Sequence, residues 1–242
     1  MGENLKTTTY NDGTAISLIT NHIEWSNLTT GAYCWYENEE SNYKTPYGAL
    51  YNFYSVETNK LCPEGWHVPT DAEWAVLIDY LGGSIVAGGK LKDASTNYWM
   101  NPNTGATNET SFGAIPGGSR NNNGTFNGIK SSGNYWSSSE DITGHSLYQI
   151  LSSNNSNTVK NSSNTRNLAF SVRCIKGENP DLIPLGIELR DPIENKTYTR
   201  GGSLPLDATF KSGHGLKRCS ITITYNDAGG QAHLIPNKFP FD

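Results

Sequence analysis

The sequence has no run approaching the roughly 20 consecutive apolar residues that a membrane-spanning helix requires. Its opening, MGENLKTTTYNDGT, also lacks the apolar segment of a secretory signal. A soluble chain with no membrane span is expected. Charge is scarce as well: Asp, Glu, Lys and Arg make up 17% of the 242 residues, the net charge is -5, and the basic residues form no block. Binding to a phosphate backbone needs concentrated positive charge, so no nucleic-acid partner is expected. Cys-x-x-Cys pairs are missing too. The four cysteines, Cys34, Cys62, Cys174 and Cys219, stand far apart, which excludes a zinc ribbon and a thioredoxin-like redox site. Long-range disulfides and buried free thiols in a reducing compartment both stay open, although scattered Cys in a neutral polar chain has the character of a secreted protein.

What is present is neutral polarity and aromatic bulk. Mean hydropathy is −0.55, yet the polarity comes from Asn, Ser, Thr and Gly rather than from ions, which separates the chain from charge-rich disordered sequences. With 6 Trp, 13 Tyr and 7 Phe, a core can form despite few aliphatic residues, because each aromatic ring buries a large area. The length allows one large domain or two modest ones.

One helix is announced clearly. Thr70 stands at a cap position with Glu73 three residues on, Asp71 and Glu73 suit the positive end of the helix dipole, and Trp74, Leu77, Ile78 and Leu81 recur at helical spacing before Gly82-Gly83. This predicts a helix over 71–81. A second short helix is expected over 85–92, with Gly88-Gly89 counting against it. Elsewhere the chain reads as short strands and long loops. Between 121 and 167, 26 of 47 residues are Asn, Ser or Thr, with strand-like islands at 135–136 and 147–151 and another following at 168–175. After 177 the character shifts to strand-like segments at 187–189, 204–206 and 220–225. The 65 residues from 178 to 242 are fewer than the roughly 100 of an immunoglobulin-like sandwich, so that module is either cut short or leans on its neighbour.

The phrases Gly31-Ala32-Tyr33-Cys34-Trp35-Tyr36, Tyr47-Gly48-Ala49-Leu50-Tyr51-Asn52, Leu61-Cys62-Pro63-Glu64-Gly65-Trp66-His67-Val68-Pro69-Thr70, Pro116-Gly117-Gly118-Ser119-Arg120, Tyr135-Trp136-Ser137-Ser138 and Phe170-Ser171-Val172-Arg173-Cys174 occur in that order. Over about residues 3–176 they resemble the Fibrobacter succinogenes major paralogous domain. The resemblance implies an α+β, C-type lectin-like fold at 1–177, more distantly similar to formylglycine-generating sulfatase-modifying factors. It also implies an extracellular or surface location in bacteria, no established general activity, and a Cys62–Cys174 disulfide joining the helix entry to the last strand. The family pattern has a strand ending in Trp just upstream of Met1, so the chain reads as starting at a domain edge, with its first strand's pairing open. Residues 182–225 more weakly resemble immunoglobulin-like modules of surface lipoproteins, giving a partial all-β sandwich-like segment at 178–242. Residues 119–176 further resemble the variable receptors of diversity-generating retroelements, in which Asn codons are randomised; a fixed set of polar loops is the alternative.

Chemistry is harder to find. His22, His67 and His145 lie in unrelated contexts with no Gly-x-Ser-x-Gly elbow, and His67 reads as a hydrogen-bonded core histidine. A formylglycine-generator-type oxidase needs a cysteine pair late in the fold, where Cys174 stands alone, with Arg173 pointing to the opposite strand face. The Glu-Pro-Asn and Trp-Asn-Asp sugar motifs of calcium-dependent lectins are absent, and Glu140-Asp141 reads as solvated carboxylates. No catalytic residue, metal or cofactor is expected.

What remains is recognition by adaptable amides and hydroxyls. Candidate contacts are Asn121, Asn122 and Asn123; Asn134, His145, Tyr148 and Gln149; Asn154, Asn155 and Asn157; and Lys160, Asn161, Asn164, Arg166 and Asn167. Tyr135 and Trp136 are read as packing inside, on a scaffold of Trp66, Trp74, Leu77 and the disulfide. The expected function is a non-enzymatic adhesin- or receptor-like module whose face at 119–167 binds a protein or glycan ligand on another cell or surface. A structural surface or fimbrial-tip subunit is the alternative, and a formylglycine-generator-like enzyme the third. The oligomeric state is not encoded in these patterns.

Overall fold

The computed structural model describes residues 2–180 and, beyond them, the backbone of four strands. The chain divides into two compact units, Met1–Ile183 and Pro184–Asp242. In chain order the first unit runs β1 (Ser17–Leu18), α1 (His22–Ser26), β2 (Ala32–Cys34), α2 (Glu40–Tyr43), β3 (Leu50–Asn52), α3 (Phe53–Val56), β4 (Trp66–His67), α4 (Asp71–Tyr80) and α5 (Ser84–Leu91). It continues with β5 (Ser119–Arg120), β6 (Phe126–Asn127), β7 (Ser132–Glu140), β8 (Ser146–Ser152), β9 (Thr158–Ser163), β10 (Ala169–Phe170) and β11 (Ile175–Lys176). This is a mixed α+β fold. A six-stranded sheet has the order β1-β2-β3-β10-β5-β6, β7-β8-β9 form an antiparallel meander, and β4 pairs with β11.

The meander carries the architecture because both faces of its β7–β8 pair are covered. Trp136 on β7 pairs in register with Tyr148 on β8, and the two rings pack with Phe170 at centroid distances of 4.5–5.6 Å. Trp136 Nε1 also donates to the Tyr51 carbonyl at 2.7 Å, tying the meander to β3. On the opposite face Tyr135 and Leu151 pack under Trp74, Ile78 and Leu81 of the α4 region and Ala87 and Leu91 of α5.

The predicted first helix forms over Asp71–Tyr80 with Leu81 as its C-cap, and both halves of the Thr70–Glu73 capping box are present. Leu77 is half-buried, at the margin of the stripe. The second helix is α5, and the two glycines that count against it by propensity are required by packing. A Cβ on Gly88 would lie 1.9 Å from the Asn157 carbonyl oxygen, and one on Gly89 would lie 2.3 Å from that of Gly105. Only a bare helix backbone can rest directly on those two loops.

Cys62 and Cys174 are disulfide-bonded across 112 residues of sequence, beside the ladder that pairs His67 with Ile175 and Trp66 with Lys176. His67 is buried, its Nδ1 2.9 Å from the Gly177 carbonyl oxygen and its Nε2 2.9 Å from the Glu73 carboxylate, so it is a core histidine as expected. In the second unit β12 (Gly186–Asp191) pairs with β13 (Asp207–Lys211), and β14 (Ile223–Asn226) with β15 (Ala232–Ile235), both antiparallel. The expected strands at 187–189 and 220–225 meet β12 and the end of their range at β14. The one at 204–206, like Cys219, lies outside the described residues.

Two outcomes test this packing. Removing the bridge with the paired Cys62→Ser and Cys174→Ser changes should cost about 4–5 kcal/mol in the chain-entropy model, read by urea unfolding; an unchanged midpoint would contradict the pairing. Gly88→Ala should destabilise by about 1–3 kcal/mol through overpacking, whereas an exposed helical glycine would gain stability from the same change.

Candidate binding surface

Short strands joined by long loops leave many backbone carbonyls pointing inward with no ladder partner, and each needs a donor. Three buried cations supply them. Arg120, 0% exposed, donates to the carbonyls of Gly124, Ile19 and Thr20, and its guanidinium carbon lies over the rings of Trp25 and Phe126, 4.2 and 4.9 Å from their centroids. Arg173 donates to the carbonyls of Phe112 and Gly113 and to the Asn4 side chain, each at 2.7 Å. Lys92, also 0% exposed, donates to the carbonyls of Thr104, Ser152 and Asn155 at 2.8–2.9 Å. Burial pushes its ammonium down to about 8, so it keeps its charge at neutral pH and its three N–H groups match the three acceptors.

On this frame the candidate residues other than His145 separate into three groups. Asn134, Tyr148 and Gln149 are turned inward. Asn134 donates to the Gly118 carbonyl, Gln149 accepts from the Thr158 hydroxyl at 3.1 Å, and Tyr148, 9% exposed, belongs to the aromatic core. A second group lies beside α1 and α3. The Asn121–Asn123 turn between β5 and β6 is fixed by Asn123 accepting from the Thr125 N–H and hydroxyl, and its Gly124 backs onto His22. Asn167 donates to the Ser26 carbonyl and accepts, through its own carbonyl, from Trp25 Nε1. Arg166 bridges the carboxylates of Glu57 and Glu140 over the ring of Phe53.

The third group follows β9. Asn154, Asn155 and Asn157 occupy the loop before it, Lys160 and Asn161 lie on it, and Asn164 follows it; all but the half-buried Asn155 are exposed. In register, Asn161 stands beside Tyr148 and Val159 beside Ile150, while Lys160 falls on the other face beside Gln149 and bonds the Asp71 carboxylate at 3.0 Å. Val159, 49% exposed, belongs to this surface although sequence reading passes over it. Its place was readable only from the alternation Thr158-Val159-Lys160-Asn161. Six residues of strand span roughly 20 Å, so the 154–157 loop and the 164–167 segment lie at opposite ends of one extended surface.

The exposed chemistry is neutral. Lys160 and Arg166 are paired with carboxylates, and among the described residues no group of His, Cys, Asp or Glu could hold a metal ion. Glu140 is exposed and Asp141 half-buried, open to solvent as the sequence suggests, and both are also hydrogen-bonded. Glu140 is bonded to Arg166, and Asp141 accepts from Thr143 and from the His145 N–H, which holds its carboxyl down at about 2. His145 itself stands 3.7 Å from Asp141 at the β7–β8 turn. Burial pushes the free Cys34 thiol up to about 12, beside the Arg120 guanidinium, which makes it a poor nucleophile.

Because the Asp141 carboxyl is depressed on folding, its stabilising contribution is fully present above the ordinary carboxylate value near ~3.9. It is lost as pH falls toward about 2. The Thr143 and His145 amide resonances should therefore keep their shifts down to about pH 4 and move below it; a midpoint at the ordinary value would contradict the turn.

Comparison with curated proteins and with solved structures finds no significant match. Residues 1–176 match the Fibrobacter succinogenes major domain, the segment that contains the aromatic core, the Cys62–Cys174 bridge and the β9 surface. The chain belongs to the Fibrobacter succinogenes major domain family.

Proposed function

We propose that the first unit is a C-type lectin-like, non-enzymatic binding module of the cell surface, which meets a protein or glycan ligand through β9 and the loops at its two ends. The observation that carries this reading is the division of labour among polar residues. Asn134, Gln149, Arg120 and Arg173 are spent inside, whereas Asn154, Asn157, Asn161 and Asn164 are exposed on one edge of a core stapled by a disulfide. Amides of this kind donate and accept without charge, a chemistry suited to varied polar ligands. The disulfide accords with an oxidising, extracellular setting, and no helix among the described residues is long and apolar enough to cross a membrane. Engagement of Cys174 in the bridge favours binding over formylglycine-generator chemistry. Diversification of the 119–167 segment fits the same division, since the exposed positions could change without disturbing the interior.

A second reading, an assembly subunit, is favoured by large apolar side chains left exposed on α4 and α5, where Val76, Tyr80 and Ile85 are 70–82% exposed. Val76 and Tyr80 are four residues apart on α4 and so share a helix face, and large exposed apolar side chains of this kind suit protein contacts. Replacing Asn154, Asn157, Asn161 and Asn164 together with Ala should leave the Tm within a few degrees and abolish binding to whichever member of a glycan and protein panel the wild type retains. A collapse of the Tm would show that these side chains are structural. Concentration-dependent sedimentation, abolished by Tyr80→Lys, would favour the assembly reading instead.

A further inference from the structure

The loop that presents Asn154, Asn155 and Asn157 is held almost entirely by its backbone. Lys92 takes the Ser152 and Asn155 carbonyls together with that of Thr104. The Gly89 N–H donates to the Ser156 carbonyl at 2.9 Å, and the Thr104 N–H donates to that of Ser153 at 2.8 Å. Gly88 brings the α5 backbone against Asn157. The side-chain bonds in the loop are local and exposed: Ser152 donates to Asn154, Asn155 donates to Asn154, and the Asn157 N–H donates to Asn155. None of them reaches the scaffold.

We propose that Lys92 is a positioning residue, a tethered cation inside a carbonyl cage that fixes the 152–157 loop whatever side chains the loop carries. This rests on reading the β9 surface as the ligand face, and it adds how that face keeps its shape while its residues change. An ammonium is the right group for the cage. It offers three donors to three acceptors from two separate loops, and its butyl stem, with the Nζ 5.3 Å from the centre of the Trp99 ring, delivers the charge to the interior without a carboxylate that would compete for it. A neutral side chain of equal length leaves three inward carbonyls without donors.

The experiment compares hydrogen exchange of the 152–157 amides in three proteins: wild type, Lys92→Met, and the triple Asn154→Ala, Asn155→Ala, Asn157→Ala variant. Lys92→Met should speed exchange in this loop by about tenfold or more while the β7 and β8 amides stay protected, and the triple variant should exchange like wild type at every amide but that of Asn157, whose acceptor is the Asn155 side chain. The proposal is overturned if the triple variant loosens the loop as much as Lys92→Met does, or if Lys92→Met leaves the loop unchanged. Should Lys92→Met fail to fold, the readout becomes the refolding yield of Lys92→Ala in ammonium chloride against tetramethylammonium chloride at equal ionic strength. Ammonium, small enough to fill the emptied cage, should raise the yield, and equal yields would contradict the cage. Neither readout uses a ligand, so a binding panel that finds no ligand would count against the function and leave this result standing.

Discussion

Inward-facing carbonyls without ladder partners are the constraint on which the structure turns. Several strands of the first unit are two residues long, so regular pairing cannot satisfy the backbone of the loops that fill the interior. Each unsatisfied group would cost about 1–3 kcal/mol. Arg120, Arg173 and Lys92 answer this need with cations rather than with more strand. Their charge is spread over several carbonyl dipoles, which offsets the desolvation that would otherwise expel them from the core. Each cation also gathers distant segments: Arg120 joins the 19–20 stretch to the β5–β6 turn, Arg173 joins the last strand region to the N-terminus and 112–113, and Lys92 joins 104 to 152–155.

Satisfying loops through their backbones separates shape from side-chain identity. The interior is defined by Trp136, Tyr148 and Phe170 on one face of the meander and by Tyr135, Leu151 and the two helices on the other. Outside it, β9 is covered by β8 on one edge and carries amides outward. A surface arranged this way can change residues without repacking the core, and this links the polar composition of 121–167 to the proposed binding role. The disulfide and the capping box act at the same junction, where β4 enters α4 and the chain returns as β11.

Much of the scaffold was legible because its signals are local. Thr70 and Glu73 form a cap that any reader of helix termini would identify, and the Trp74 stripe follows from helical spacing. Asn134, on β7, is turned in to donate to the Gly118 carbonyl, and the inward placement of Tyr148 and Gln149 has a single physical cause. β8 is the central strand of a sheet covered on both faces, so Leu147, Tyr148 and Gln149 are all buried and the alternation that would mark an exposed face vanishes. Composition then assigns polar residues to the surface that the fold places inside. The cation cages were invisible for a different reason: their acceptors are main-chain carbonyls, which carry no sequence signature. At Lys92 the Gly88-Gly89 pair signals close backbone approach but not which group completes it.

The central claim is that shape and surface are separable in this domain. Its most direct test is a saturation library over 119–167, displayed and selected for protease resistance. The account predicts tolerance at Asn154, Asn157, Asn161 and Asn164, where most side chains should survive, and strong selection at Arg120, Asn134, Tyr135, Trp136, Tyr148 and Leu151. Equal intolerance at the two sets of positions would contradict it, because the exposed amides would then be holding the fold together rather than resting on it.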